Sequence, residues 1–182
     1  RPLVKVLREN RRGTAEALNA ALAAASGERL LFLAPASRPG KAWLKEMRNA
    51  RGDLVVGETA SILAGKPTPY GRLALRLFRG HSERTARAKG HALPWGAFVN
   101  LGVKREWFER VGPFAPEAGD AFDIDWCWRA VLAGAKIEYA PGAKAQILRH
   151  NEATALFREF DGFGQGEAWL HRSYSFLDDT QP

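Results

Sequence analysis

The chain has 182 residues, a net charge of +7 and 46% hydrophobic residues, which suits one globular domain with a sizeable core. Its single cysteine, Cys127, excludes an internal disulfide and any metal site built from several cysteines. No run approaches the roughly 20 apolar residues that cross a bilayer, and no signal-peptide pattern opens the chain, so we expect a cytoplasmic protein.

Apolar patterning predicts alternating strands and helices over the first part of the chain. We expect strands at residues 3–8, 30–33 and 53–58, and helices at residues 15–26 and 43–50. Short loops between such elements favour an α/β fold with a mixed, mainly parallel sheet flanked by helices. Ligands of open sheets bind beyond the carboxyl ends of the strands, and the predicted loop 34–40 lies at one such end.

The remainder of the chain predicts further elements of both kinds. Residues 59–95 contain several glycine and proline breaks, which indicate an irregular segment with a short helix at 73–78. Strands are then expected at 97–103, 136–139 and 144–148, and helices at 105–111 and 123–133. A last helical region, 153–174, is interrupted by glycines at 162–166. We predict a main domain over residues 1–150 and a helical tail over residues 151–182.

Basic residues are concentrated towards the start of the chain. Residues 1–110 carry 21 lysines and arginines against 9 acidic residues, whereas residues 111–182 carry 6 against 11. One cluster comprises Arg72, Arg76, Arg79, Arg84, Arg87 and Lys89. It can be a solvated loop, or it can contact phosphates or lipid headgroups. It lacks interleaved aromatic residues and a nucleic-acid module, so no nucleic-acid partner is expected.

Three blocks of sequence occur in a defined order. The first comprises residues 10–13 (NRRG), 18–22 (LNAAL) and 25–33 (ASGERLLFL), and the second residues 96–105 (GAFVNLGVKR) and 108–114 (FERVGPF). The third comprises residues 122–129 (FDIDWCWR), 134–137 (GAKI) and 139–141 (YAP), followed by residues 156–166 (LFREFDGFGQG). Together they resemble the inverting family 2 glycosyltransferases of the GT-A, Rossmann-like fold. The tail resembles polysaccharide-building members, including the succinoglycan-biosynthesis type.

The resemblance implies transfer of a sugar from a nucleoside diphosphate donor to a glycan or lipid-linked acceptor. Asp123 matches the second residue of the family's E-D pair, its usual catalytic base, although Phe122 replaces the glutamate. Asp123 also lies where a helix-capping aspartate would lie, so both roles stay open, and Asp120 is a second candidate base. On the acceptor side, the expected residues are Trp95 as a sugar-stacking platform, Asn100 and Asp125.

The metal site implied by the resemblance is degenerate. The family's apolar strand ends in D-x-D, which binds Mn²⁺ or Mg²⁺, but Ala34 and Ala36 stand at the two aspartate positions. Neither alanine offers the oxygen ligand that a hard cation requires, and the nearest hydroxyl is that of Ser37. His150 is a weaker candidate ligand, matching a histidine that follows the family's P-x-A strand.

The resemblance also implies an incomplete donor site. The run at residues 3–7 matches the strand before N-x-x-G, so the first nucleotide-binding βαβ unit would precede Arg1 or be missing, which leaves an exposed sheet edge. Two principal functions therefore stay open: an enzyme acting at the inner membrane face, or a non-catalytic GT-A-like module that binds a partner protein, a glycan or a nucleotide. A third is an anionic-surface binder that uses residues 72–89. The oligomeric state is not predicted.

Overall fold

The computed structural model describes residues 4–35, 37–90 and 92–180, except for the side chains of residues 178–180. Its strands are β1 (Arg29–Leu33), β2 (Ser37–Pro39), β3 (Leu54–Leu63), β4 (Asn100–Lys104) and β5 (Ile137–Arg149). Its helices are α1 (Thr14–Ala24), α2 (Trp43–Asn49), α3 (Pro69–Leu77), α4 (His81–Ala86), α5 (Glu106–Val111), α6 (Phe122–Leu132) and α7 (Ala153–Ser173). Two 3-10 helices span Pro116–Ala121 and Ser175–Thr180.

The five strands form one mixed sheet in the order β1-β4-β3-β5-β2. β1, β3 and β5 run in one direction, and β4 and β2 run in the other. The predicted mixed α/β fold is therefore confirmed. The expectation of a mainly parallel sheet is wrong for the described residues, because β4 lies between β1 and β3 and β2 runs against β5, which leaves β3–β5 as the parallel pair and makes the other three pairs antiparallel. The segments 136–139 and 144–148 are one continuous strand, β5, rather than two.

Hydrophobic clusters cover both faces of the sheet. Leu54 and Val56 of β3 point into the larger cluster, which includes Trp126 of α6. Val55 points to the opposite face and packs with Trp43 and Met47 of α2. This alternation follows from the two-residue period of a strand, and it explains why residues 54–56 read as one continuous apolar run.

The predicted strand at residues 3–8 is wrong for the described part of that segment. Residues 4–10 have no regular secondary structure, and Val4 and Val6 are exposed. The strand prediction rested on aliphatic composition alone, whereas a strand is stable only when a neighbouring strand satisfies its backbone groups.

The predicted irregularities at residues 59–95 and 162–166 are also corrected. β3 continues to Leu63, and α3 and α4 follow it. α7 is unbroken, and two of its glycines permit close packing against the 3-10 helix Pro116–Ala121. A Cβ at Gly162 would lie 1.8 Å from Asp120 Oδ2, and one at Gly166 would lie 2.8 Å from the Ala121 Cβ. Across the described residues, every helix is too short or too polar to span a membrane.

Candidate active site

Asp123 lies in the first turn of α6, and its carboxylate is almost enclosed. The residue is 6% exposed. Its Oδ2 accepts a hydrogen bond from the Phe98 amide at 3.1 Å, and its Oδ1 accepts one from the Ile124 amide at 2.9 Å. Burial raises the pKa of Asp123 to about 7, and the nearby charge of Asp120 adds to this, although the amide hydrogen bonds oppose it. The group can therefore gain or lose a proton near neutral pH.

The loop after β1 reaches the same short segment that contacts Asp123. The Ala34 amide donates to the Val99 carbonyl at 3.4 Å, and the Ser37 hydroxyl donates to that carbonyl at 3.4 Å. A turn joins the loop ends, because the Ser37 amide donates to the Ala34 carbonyl at 2.9 Å. Phe98 and Val99 thus connect the candidate base to the predicted donor loop. Ala36 lies outside the described residues.

The described residues do not fit a divalent cation. No group of three or more histidine, cysteine, aspartate or glutamate side chains that could hold a metal occurs in the described ranges. Ala34 presents a methyl group, and Ser37 directs its hydroxyl at a backbone carbonyl. His150 is exposed at the end of β5, outside any such group. We therefore assign no chemical step to a metal ion.

Asp125 is buried in a network that orients side chains within the fold. Its Oδ2 binds the Arg129 guanidinium, with Nε at 3.0 Å and the terminal nitrogen at 2.8 Å. Its Oδ1 accepts the Tyr174 hydroxyl at 2.7 Å. Burial and this bond to a carboxylate raise the pKa of Tyr174 above its usual range. The predicted acceptor-side carboxylate therefore connects α6 to the end of α7.

Asn100 is fully buried at the start of β4 and has all its side-chain contacts within the fold. Its Oδ1 accepts the Trp43 indole N–H at 2.8 Å. Its Nδ2 donates to the carbonyls of Glu58 and Ala143, both at 2.9 Å. Asn100 thus links β4 to β3, β5 and α2. The structure places this predicted acceptor-side residue in the core, close in sequence to the segment that binds Asp123.

Trp95 is also buried, which leaves little of its indole face available to a sugar. It belongs to the larger core cluster, and its ring lies 5.4 Å from that of His81 in an edge-on arrangement. Its amide donates to the Thr85 carbonyl at 3.0 Å. The predicted platform therefore anchors the segment before β4.

Two adjoining surface cavities were missed by the sequence analysis. One, of about 440 Å³, is lined by residues including Asp125, Arg129 and Trp169. The other, of about 480 Å³, is lined by residues including Asp120, Gln165 and Trp169. Both arise where α7 packs on the 3-10 helix, which requires an unbroken α7. The glycines at 162–166 were the available signal, but they were interpreted as a helix break.

Comparison with known proteins identifies the fold. No protein-family model matches the chain. The chain is 29% identical over 154 residues to the pre-mycofactocin glycosyltransferase of Mycobacterium tuberculosis, found in two strains, covering 80% of this chain and 31% of the relative. A solved structure of GalNAc-T7 with UDP, GalNAc and Mn²⁺ is 17% identical, with a TM-score of 0.59, and the match covers 82% of this chain and 33% of that chain.

A second solved structure agrees with the first. The mannosyltransferase PcManGT from Pyrobaculum calidifontis, in complex with GDP-Man and Mn²⁺, is 22% identical with a TM-score of 0.62. That match covers 89% of this chain and 44% of that chain. The chain has the GT-A fold of glycosyltransferases, as its sequence predicts. It spans about a third of the length of its curated relatives.

Proposed function

We propose that this chain transfers a sugar from a nucleoside diphosphate donor to a glycan or lipid-linked acceptor, with Asp123 as the base. The single observation that supports this most strongly is the environment of Asp123. Its carboxylate is enclosed, its pKa lies at about 7, and two hydrogen bonds fix its orientation. A base whose pKa is near the working pH is ionised in a large fraction of molecules and still has a driving force to accept a proton.

In the proposed reaction, the acceptor hydroxyl oxygen attacks the anomeric carbon of the donor sugar. The bond from that carbon to the diphosphate breaks, and the nucleoside diphosphate leaves with the electron pair. The hydroxyl proton moves to the Asp123 carboxylate. Attack opposite the leaving group inverts the anomeric centre, as in family 2 glycosyltransferases.

Support for the donor class comes from the two solved structures, which are described in complex with UDP or with GDP-Man, each together with Mn²⁺. Membership of family 2, a role in polysaccharide biosynthesis and a position at the inner membrane face belong to the same proposal. So does the choice between a glycan and a lipid-linked acceptor.

The division into residues 1–150 and 151–182 stays a prediction. Leu170 and Tyr174 of the second part pack in the core of the first.

A non-catalytic GT-A-like module is the second candidate function. The observation that favours it is the loop after β1, where Ala34 occupies a predicted aspartate position. The described residues also contain no cluster able to hold a metal. Such a module would keep the fold for binding a partner protein, a glycan or a nucleotide without turnover.

Calorimetry separates the transferase from a non-catalytic module that binds a partner protein or a glycan, whereas a module that binds a nucleotide without turnover is distinguished by the absence of sugar transfer. The protein is titrated with uridine, guanosine and thymidine diphosphates, with and without Mn²⁺, alongside the double variant Ala34→Asp, Ala36→Asp. The transferase proposal expects one nucleotide to bind the unmodified protein. It also expects the double variant to bind that nucleotide more tightly when Mn²⁺ is present, because two carboxylates supply hard oxygen ligands. Absence of binding by both proteins would favour the non-catalytic module.

A further inference from the structure

Helix α3 presents an exposed apolar stripe. Tyr70, Leu73 and Leu77 are 50%, 46% and 43% exposed. Their spacing of three and four residues places them on one side of the helix. The buried side of α3 is different, since it contains Gly71, Ala74 and the C-cap residue Phe78. The stripe is therefore apolar surface in addition to the face with which α3 packs on the protein.

The helix is held firmly in place at its N-terminal end. Thr68 caps it by accepting the Gly71 amide at 3.1 Å, and Pro69 occupies its first turn. Asn151, which follows β5, binds the Thr68 amide at 2.9 Å and the Lys66 carbonyl at 2.8 Å. The start of α3 is thus fixed to the end of the sheet.

The C-terminal end is fixed as well. The Arg84 guanidinium donates to the carbonyls of Leu77 and Arg79, which covers the helix end. Phe78 packs against Phe160 and Phe163 of α7, with ring centres 6.3 Å apart in both pairs. The Arg149 guanidinium lies 3.7 Å above the Phe78 ring. The exposed stripe therefore belongs to an ordered helix, beside aromatic rings of α7 that are themselves half-exposed.

The next face of α3 is strongly basic. Arg72 and Arg76 are exposed, and at 100° per residue they form a second stripe adjacent to the apolar one. Arg79, in the turn that follows the helix, is also exposed. Across residues 59–95 the sequence has seven basic residues and one acidic residue, Glu83. This segment alone accounts for +6 of the net charge of +7.

We propose that α3 docks on an anionic lipid bilayer through a surface formed by Tyr70, Leu73, Leu77, Arg72, Arg76 and Arg79, here called the α3 surface. The apolar stripe and the basic stripe together indicate a lipid bilayer as the binding partner. Arginines attract an anionic headgroup layer. The adjacent apolar side chains enter the boundary between headgroups and acyl chains, as in interfacial helices. A nucleic acid would use the arginines but gain little from the exposed leucines.

Vesicle co-sedimentation tests this proposal. The probes are vesicles of phosphatidylcholine alone and of phosphatidylcholine with phosphatidylglycerol, each at low and at high salt. We expect binding to the anionic vesicles at low salt and a large decrease at high salt, since salt screens exposed charges. The triple variant Arg72→Gln, Arg76→Gln, Arg79→Gln should bind on the order of a hundredfold more weakly. The double variant Leu73→Glu, Leu77→Glu should bind at least about tenfold more weakly.

Helix α2 supplies matched controls. Lys41, two residues before the helix, and Lys45 and Arg48 within it are exposed, and Leu44 is 53% exposed. The triple variant Lys41→Gln, Lys45→Gln, Arg48→Gln removes the same charge, and Leu44→Glu makes the same kind of apolar-to-acidic change. Both controls should retain most vesicle binding. Urea unfolding of each variant checks that it folds, and the milder pair Leu73→Gln, Leu77→Gln replaces the glutamates if it does not.

Three outcomes would overturn the proposal. The first is no binding to anionic vesicles at low salt. The second is an equal loss of binding in the α2 controls and the α3 variants. The third is tight binding to a nucleic-acid duplex that requires the arginines but not the leucines. The proposal is independent of catalysis, because Asp123→Asn should bind vesicles as the unmodified protein does.

Discussion

The carboxylate of Asp123 and the backbone amide of Phe98 are joined by a hydrogen bond of 3.1 Å, which ties the start of α6 to the segment before β4. The next residue, Val99, accepts hydrogen bonds from the loop after β1. Two residues thus connect a potential proton acceptor with the loop at the carboxyl end of β1. Substitutions in this region should therefore affect both stability and chemistry, and the two effects can be measured separately.

The buried Asp123 carboxyl should make stability depend on pH. Its pKa rises from 3.8 to about 7 in the folded protein, so between these values the folded state holds a proton that the unfolded chain releases. The free energy of unfolding should therefore fall as pH rises through this window, by about 3 kcal/mol between pH 5 and pH 8. Urea unfolding at several pH values measures this. Asp123→Asn should lack that part of the pH dependence, and equal slopes for both proteins would refute the assignment.

Tyr174 should stabilise the protein through its hydroxyl. Tyr174→Phe removes the 2.7 Å bond to buried Asp125 while keeping the ring. Hydrogen bonds to charged groups contribute roughly 1.5–3 kcal/mol, so the free energy of unfolding should fall by about that amount. The control is Tyr70→Phe, because that hydroxyl belongs to an exposed residue and its loss should cost about 0.5 kcal/mol or less. Equal effects in the two variants would mean that the bond from Tyr174 to Asp125 contributes nothing to stability.

Two glycine substitutions should have opposite effects. A Cβ at Gly57 would lie 2.4 Å from Asn100 Nδ2 and 2.5 Å from the Ala143 carbonyl, so Gly57→Ala must disturb the Asn100 network. We expect it to destabilise the protein by at least about 1 kcal/mol. Gly164 lies in α7 with open space around its Cβ position, so Gly164→Ala should stabilise the helix by about 1 kcal/mol. Thermal unfolding measures both, and no gain from Gly164→Ala would indicate that α7 is interrupted there.

The sequence predicted those elements whose signal is local. α1, α2 and α6 differ from their predicted bounds by no more than two residues at either end, because their composition and terminal residues act within the segment itself. The order of the strands could not be predicted in the same way. β4 lies between β1 and β3 although it follows both in the chain, and β2 pairs with β5 across more than a hundred residues. Such pairings depend on tertiary contacts that no sequence window contains.

The candidate site was predicted unevenly for a similar reason. Asp123 could be selected as a candidate base from a motif and a helix start, both of which are local, and its catalytic role stays a prediction. The roles of Asn100 and Trp95 depend on what surrounds them, and packing placed both in the core, where Asn100 bonds to three distant elements. The cavities beside Trp169 depend on two glycines that bring α7 close to a 3-10 helix. From sequence alone, a glycine that allows another element to pack closely against a helix cannot be distinguished from a glycine that breaks the helix.

The most direct test of the account is the release of nucleoside diphosphate from UDP-, GDP- and dTDP-sugars, in the presence of glycan and lipid-linked acceptors. The unmodified protein is compared with Asp123→Asn, and Asp120→Asn serves as the neighbouring control. We predict release whose rate rises with pH through about 7, as Asp123 ionises. That rate should fall about 100-fold or more in Asp123→Asn, the effect expected for a general base, and much less in Asp120→Asn. Equal rates in the unmodified protein and Asp123→Asn, or no release from any donor, would contradict it.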